Sequence, residues 1–310
     1  MGGFIFMKFL EAIQKFKDWR NLKVGANTVK GYDLSLRQLC VHLHNPDIEA
    51  ITLDQVIEYL NGLRACGWDG NSLIPRCTAI RKILEFYRRQ GFACLDPELI
   101  PIPPKDYKLP RVCDYQTLIK LLAAIPESND PRHIRNRAMI HMFKDTGARN
   151  GELLDLNVAD LSFEERGAIV KTEKNKGSRP YRRIYWTETT QGHLLRWMEK
   201  RERLKAKMDF KDPDALFVSI CGSRHDTQGR RFTIKGVGEM LRHYSDKAGI
   251  PTVNAHSLRH YCGHDIIKNG GSTADVMNIL GHASVQSTTI YTAMAGNELK
   301  GRWEKLLAGR

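Results

Sequence analysis

Residues 146–153 read TGARNGEL and lie at the junction between two predicted helices. The threonine and glycine are a typical helix stop, and they end an apolar pattern that predicts a helix over residues 134–145. Arg149 and Glu152 come at the start of the next helix, where a spacing of three lets the two side chains meet on one face. Alone, such a pair is more often a surface ion pair, but here it is the first of four segments suited to binding a phosphate.

The second segment is a predicted β-hairpin that follows the first. Alternating apolar residues predict strands over residues 167–173 and 181–186, joined by the polar turn KNKGSR at 174–179. The turn carries three cationic side chains: Lys174, Lys176 and Arg179. A charged turn is ordinary by itself, so these residues indicate a function only together with the other segments.

The third segment reads HSLRH at residues 256–260 and follows Asn254, a residue type that caps helices. In a helix, the spacing of three places His256 and Arg259 on the same side. An imidazole and a guanidinium placed in this way can bind one phosphate together.

A metal site is the alternative interpretation of this helix. Its histidines recur every four residues, at His256, His260 and His264, and Cys262 is close by in the sequence. No carboxylate or cysteine stands on the same face at helical spacing to complete a zinc site. We therefore expect no metal.

The fourth segment, residues 270–282, reads GGSTADVMNILGH. Its serine and aspartate resemble a capping box and predict a helix from Thr273 to Leu280, which Gly281 closes. His282 then stands at a sharp turn, and Tyr291 follows nine residues later. Such a tyrosine would ordinarily be a core aromatic, so its meaning depends on the other three segments.

Four prolines within residues 101–110, PIPPKDYKLP, indicate an extended linker rather than a helix or a central strand. We therefore divide the chain into a domain at 1–100, a linker at 101–112 and a domain at 113–310. Apolar periodicity predicts four more helices in the second domain: 115–124, 190–205, 234–248 and 257–269. This domain is expected to be mostly helical with a small antiparallel sheet.

The first domain is expected to be a bundle of four helices between Phe9 and Gly91, because apolar residues recur there three and four positions apart. Turn-forming residues predict breaks at 25–27, 45–47 and 67–71. Basic residues on the second and fourth helices, together with Arg179, are as suited to contacting the DNA backbone as to forming a solvated face. Those on the helices are Lys30, Arg37, Arg81, Lys82 and Arg88.

The composition indicates a folded, basic protein. Among 310 residues, 48 lysines and arginines face 35 acidic residues, giving a net charge of +13 that favours polyanions. RNA-binding, ribosomal and membrane-surface proteins share this property. The seven scattered cysteines include no C-x-x-C pair, and no apolar run approaches the roughly 20 residues of a membrane span. We expect a reduced, cytoplasmic protein.

Together the four segments resemble the tyrosine recombinase (phage integrase) family. The matching motifs are T-G-x-R-x-x-E-L at 146–153, a hairpin lysine, H-x-L-R-H at 256–260, and L-G-H at 280–282 with a tyrosine nine residues on. Their order and separations also agree. The resemblance implies a mainly α fold, in which an N-terminal four-helix, SAM-like core-binding domain precedes a catalytic domain.

The resemblance also implies a site and a reaction. Tyr291 would attack a DNA phosphodiester to form a 3′-phosphotyrosine, with no cofactor. Arg149 and Arg259 would neutralise the charge of the phosphate, and Glu152 would orient Arg149. His256 and His282 would donate hydrogen bonds and assist proton transfer. Lys174 or, alternatively, Lys176 would protonate the leaving 5′ oxygen.

The implied partner is double-stranded DNA with inverted half-sites. The protein would be a monomer when free and would form a homotetramer on DNA. Accessory DNA-bending proteins are optional partners, and no membrane is involved. The outcome would be integration, excision or resolution of DNA. A type IB topoisomerase and a catalytically silent DNA-binding relative are the alternatives. The tyrosine nine residues after L-G-H favours a recombinase over the first, and the complete set of site residues disfavours the second.

Overall fold

The computed structural model describes residues 7–106, 113–172, 181–220 and 228–281. The chain divides into two compact units, Met1–Leu109 and Pro110–Arg310. The predicted fold class is confirmed, because helices dominate both units and the sheet in the described part has only three short strands. No helix in these ranges has the length and apolarity needed to cross a membrane.

Four α-helices form the first unit, as predicted: α1 (Phe9–Asn21), α2 (Ala26–His42), α3 (Leu53–Ala65) and α4 (Gly70–Arg88). Thr52 and Asp69 cap α3 and α4, because their side-chain oxygens accept hydrogen bonds from backbone amides of the first turn. The apolar faces enclose one core. Within it the Tyr87 hydroxyl donates to the carbonyl of Ala12 at 3.0 Å and ties α4 to α1.

The first break of this bundle was predicted at residues 25–27 and lies instead at 22–25. Gly25 has an extended backbone and serves as the N-cap of α2, so the two residues after it are already helical. Glycine favours both caps and turns, and the sequence alone did not separate these two uses.

The proline segment packs against the first unit as far as residue 106. Residues 101–106 contain neither helix nor strand. The backbone amide of Gly70 donates to Asp106 Oδ2 at 2.7 Å, and a Cβ at Gly70 would lie 2.4 Å from the carbonyl oxygen of Pro104. The start of α4 therefore accepts this segment only because residue 70 has no side chain.

The second unit is built around α6 (Pro131–Thr146), which is buried on nearly all sides. Its other helices are α5 (Tyr115–Ala123), α7 (Asn150–Leu154), α8 (Glu188–Lys205), α9 (Ile234–Lys247), α10 (Ala255–Lys268) and α11 (Thr273–Leu280). The predicted helices are present with ends shifted by a few residues. Helix α6 begins earlier than predicted because Asp130 caps it and Pro131 occupies its first position.

Three antiparallel strands lie beside these helices in the order β1 (Leu161–Ser162), β2 (Gly167–Lys171) and β3 (Tyr181–Tyr185). The predicted hairpin is β2 and β3, whose register pairs Val170 with Arg182. The two residues of β1 were not predicted, because alternation cannot be seen over so short a length.

Candidate active site

The first element of the candidate site is the turn between α6 and α7. Gly147 ends α6 with φ 54°, and a Cβ there would lie 2.2 Å from a Leu280 methyl group and 3.2 Å from the Cys262 sulfur. Only glycine fits this left-handed position at such close range. The turn is thereby packed directly against α10 and α11.

Arg149 and Glu152 meet as their spacing predicted. The Arg149 guanidinium donates to Glu152 Oε1 at 2.6 Å, and its backbone amide donates to Oε2 at 2.8 Å. The Glu152 side chain is fully buried, whereas that of Arg149 is 27% exposed. Burial opposes ionisation of Glu152, but the neighbouring Arg182 and the Arg149 contacts outweigh it and lower its pKa. The carboxylate therefore stays charged and fixes one side of Arg149.

Arg182 is a residue of the site that the sequence motifs did not single out. It lies on β3, and its guanidinium donates to Glu152 Oε2 at 2.7 Å and to the carbonyl of Ile279 near the end of α11. The signal for it was present, because strand alternation places Arg182 on the same face as the buried Ile184. An arginine on an apolar face requires a partner.

The C-terminal end of α11 receives three arginines on three consecutive carbonyls. Arg182 donates to Ile279, Arg259 donates to Leu280 at 2.6 Å, and Arg149 donates to Gly281 at 3.1 Å. The last carbonyls of a helix have no partner within the helix and form its negative pole. These arginines therefore fix the C-terminal end of α11.

Arg259 and His256 lie on α10 with different exposure. The Arg259 guanidinium is buried and also donates to the Gly147 carbonyl at 2.5 Å, which links α10 to the turn after α6. His256 is exposed, and its Nε2 lies 3.0 Å from Nε2 of the buried His260. In this pair one nitrogen donates and the other accepts.

His260 is held in its neutral form. Burial, followed by the nearby His256 and Arg259, lowers the pKa of His260 to about 4. In the described part of the chain, no three histidine, cysteine, aspartate or glutamate side chains are grouped so that they could hold a metal ion. Of the three histidines of α10, His256 and His260 form the hydrogen-bonded pair.

The lowered pKa of His260 predicts acid sensitivity. Because the unfolded chain, with an ordinary histidine pKa near 6.5, binds this proton more readily, the stabilisation is complete above about pH 6.5 and is lost as the pH falls towards 4. Between pH 7 and pH 5 we expect a loss of about 1–2 kcal/mol in the free energy of unfolding from this residue. Urea unfolding of the wild type and of His260→Gln at both pH values measures it; equal losses in the two proteins would contradict the assignment.

Five predicted site residues lie outside the described residues: Lys174, Lys176, Arg179, His282 and Tyr291. Three of the described site residues, Arg149, Glu152 and Arg259, are brought together at the end of α11. His256 lies on the exposed side of the same helix as Arg259.

The basic residues predicted to contact DNA in the first unit differ in their surroundings. Arg81 and Arg88 donate hydrogen bonds to backbone carbonyls of residues 94–100 and fasten that segment to α4. The other three lie on helix surfaces. Arg37 and Lys82 each form an ion pair within their own helix, and Lys30 is exposed. Contact with DNA stays a prediction for all five, and the two arginines have a structural role besides.

Comparison with known proteins identifies the family. The chain is 29% identical over 284 residues to tyrosine recombinase XerC of Roseiflexus castenholzii, covering 90% of this chain and 86% of the relative. It is 29% identical over 302 residues to tyrosine recombinase XerD of Oceanobacillus iheyensis, covering 94% and 97%. These relatives confirm the predicted enzyme class, and nothing in them favours the topoisomerase or silent alternatives.

Solved structures agree with the fold. The Tn1549 transposon integrase in complex with transposon right end DNA superposes with a TM-score of 0.74 at 20% identity, covering 97% of this chain and 100% of that one. The XerA recombinase gives 0.52 at 25% identity, covering 95% and 97%. The sequence model of the phage integrase family matches residues 113–298, more than half of the chain. The chain therefore belongs to the phage integrase family, the tyrosine recombinases.

Proposed function

We propose that this recombinase cuts and rejoins double-stranded DNA through a 3′-phosphotyrosine formed by Tyr291. The observation that carries the proposal is the grouping of three guanidiniums at the end of α11: Arg149 and Arg182 contact the Glu152 carboxylate, and Arg259 contacts two backbone carbonyls. A group of guanidiniums held in this way suits a bound phosphate. The relatives' structures with DNA support DNA as the source of that phosphate.

Arg149 and Arg259 are the groups proposed to bind the non-bridging oxygens. A guanidinium has five N–H donors in a planar fork, and it remains charged at any physiological pH. The contacts of Arg149 to Glu152 and Gly281 use one donor each from its two terminal nitrogens, so donors remain for phosphate oxygens. Held in this way, the guanidiniums stabilise the charge that accumulates when a fifth oxygen approaches phosphorus.

The remaining steps concern protons. A tyrosine hydroxyl has a pKa of about 10 in water and becomes a usable nucleophile when a base or a positive field removes its proton. His256 and His282 are proposed to supply hydrogen bonds and proton transfer there. The phosphotyrosine bond then replaces the broken phosphodiester, so a 5′ hydroxyl can restore it without ATP.

Exchange between two duplexes requires several protomers. We propose a homotetramer on paired inverted half-sites, formed from monomers on DNA, with accessory DNA-bending proteins where the site requires them. Two labelled duplexes that carry the site should then yield recombinant products, whereas relaxation of a supercoiled plasmid without strand exchange would indicate a topoisomerase.

The function is tested by trapping the covalent intermediate. Selection from random duplexes first identifies the bound site, and a nick just 3′ of the scissile phosphate then lets the short 5′-hydroxyl fragment leave. We expect a protein–DNA adduct that survives denaturation and is digested by protease, and mapping should place the linkage on Tyr291. Specific binding without any adduct would overturn the proposal.

The general acid is proposed to be Lys174, with Lys176 as the alternative, and sulfur substitution distinguishes them. A bridging 5′-phosphorothiolate leaves as a thiolate, which needs no proton because a thiol pKa is only about 8.5. Replacing the acid by alanine should slow cleavage of ordinary DNA by roughly 10²–10⁴-fold. The same variant should cleave the sulfur substrate at nearly the wild-type rate, while alanine at the other lysine changes both substrates equally. If neither variant is rescued by sulfur, the hairpin does not supply the acid.

A further inference from the structure

Arg182 connects the two groups that hold Arg149. The Arg149 guanidinium has two described anchors, the Glu152 carboxylate and the Gly281 carbonyl. Arg182 donates to the same carboxylate at 2.7 Å and to the Ile279 carbonyl two residues before the second anchor. A single side chain therefore links α7 to the end of α11.

The surroundings of Arg182 show that its placement is tightly determined. Its side chain is 8% exposed, and its backbone is paired with Val170 in the sheet. Gly281 packs on its aliphatic stem, since a Cβ at that glycine would lie 2.7 Å from Arg182 Cδ. Burying a guanidinium is costly unless it is paired and hydrogen-bonded. The contacts of Arg182 with the Glu152 carboxylate and the Ile279 carbonyl offset this cost.

We infer that Arg182 is a positioning residue for DNA cleavage, which acts by fixing both anchors of Arg149 so that this guanidinium faces the scissile phosphate. This inference rests on the proposed function. Arginine suits the role because its planar fork reaches two acceptors in different directions, whereas a lysine ammonium is a point charge. Arg182 also lies on β3, so this strand holds both anchors of Arg149 through one side chain.

The test compares Arg182→Met and Arg182→Lys with Arg183→Met, a matched control. Arg183 is the next residue on β3, and its ion pair with Glu165 is on the surface, with both side chains 58% exposed. Single-turnover cleavage of the nicked site should slow by roughly 10–100-fold in Arg182→Met, because misplacing a reacting group by about 1 Å costs as much. DNA affinity should stay within about threefold of wild type. Arg182→Lys should recover only part of the rate, and Arg183→Met should match wild type.

Two further measurements separate positioning from a general loss of structure. In an Arg149→Ala background, Arg182→Met should slow cleavage by no more than about threefold, because its route of action has been removed. On a site with a methylphosphonate at the scissile position, the phosphate carries no charge for Arg149 to neutralise, so the Arg182→Met defect should shrink. A full, unchanged defect in both settings, or equal behaviour of the Arg182 and Arg183 variants, would overturn the inference. Absence of an adduct in the wild type would instead overturn the proposed function.

Discussion

Replacing Tyr291 by phenylalanine is expected to abolish the covalent protein–DNA adduct while leaving DNA binding unchanged. The substitution removes one oxygen, and no other atom of the ring can attack phosphorus. Loss of the proposed nucleophile leaves only the catalysis supplied by binding and charge, so the rate should fall by at least roughly 10⁴-fold. The measurement is adduct formation on the nicked site, with affinity followed in parallel by gel shift.

Two controls accompany this experiment. Tyr261 lies on α10, and burial, followed by nearby acidic groups, raises its pKa to about 12, so it is a poor substitute nucleophile. Tyr261→Phe should therefore leave the adduct intact. An adduct that persists in Tyr291→Phe and disappears in Tyr261→Phe would mean that the nucleophile has been assigned to the wrong residue.

Arg149→Ala is expected to lower the cleavage rate by roughly 10²–10³-fold, the usual cost of removing one preorganised group that stabilises transition-state charge. The fold should survive, because Glu152 keeps its buried ion pair with Arg182. Single-turnover cleavage measures the effect, and thermal melting confirms that the variant is folded. Arg183→Ala, which removes an exposed arginine two residues from the strand end, is the matched control and should leave cleavage unchanged.

Neutralising the phosphate tests the reason for this loss. A methylphosphonate at the scissile position replaces one charged oxygen by a methyl group, so the guanidinium has less charge to stabilise. The gap between Arg149→Ala and wild type should then narrow to within about tenfold. A gap of the same size on both substrates would mean that Arg149 supports the fold or the DNA contact rather than the charge on phosphorus.

Local sequence signals predicted much of the second unit. Helix α11 has the predicted bounds, because Ser272 caps its start and Gly281 closes its end. The contact between Arg149 and Glu152 followed from a spacing of three in the sequence. In both cases the deciding interactions join residues within one helical turn or one helix.

Long-range contacts were beyond such reasoning. Arg182 reaches Glu152 across 30 residues and Ile279 across 97, and nothing in the adjacent sequence identifies these partners. The same holds for Arg81, whose acceptor carbonyl at Ile100 lies 19 residues away. Its side chain was expected on a solvated or DNA-facing surface, but it binds the segment that follows α4. Periodicity shows which face a residue occupies but not what covers that face.

The junction at Gly147 has a consequence for biosynthesis. Arg149 and Gly281, whose contact lies beside this junction, are 132 residues apart in the chain, so the anchored guanidinium cannot exist until α11 has been synthesised and packed against the turn. A nascent chain that ends within α10 carries Arg149 and Arg182 but not the carbonyls that orient them. Premature termination during translation therefore yields products that lack the assembled arginine cluster.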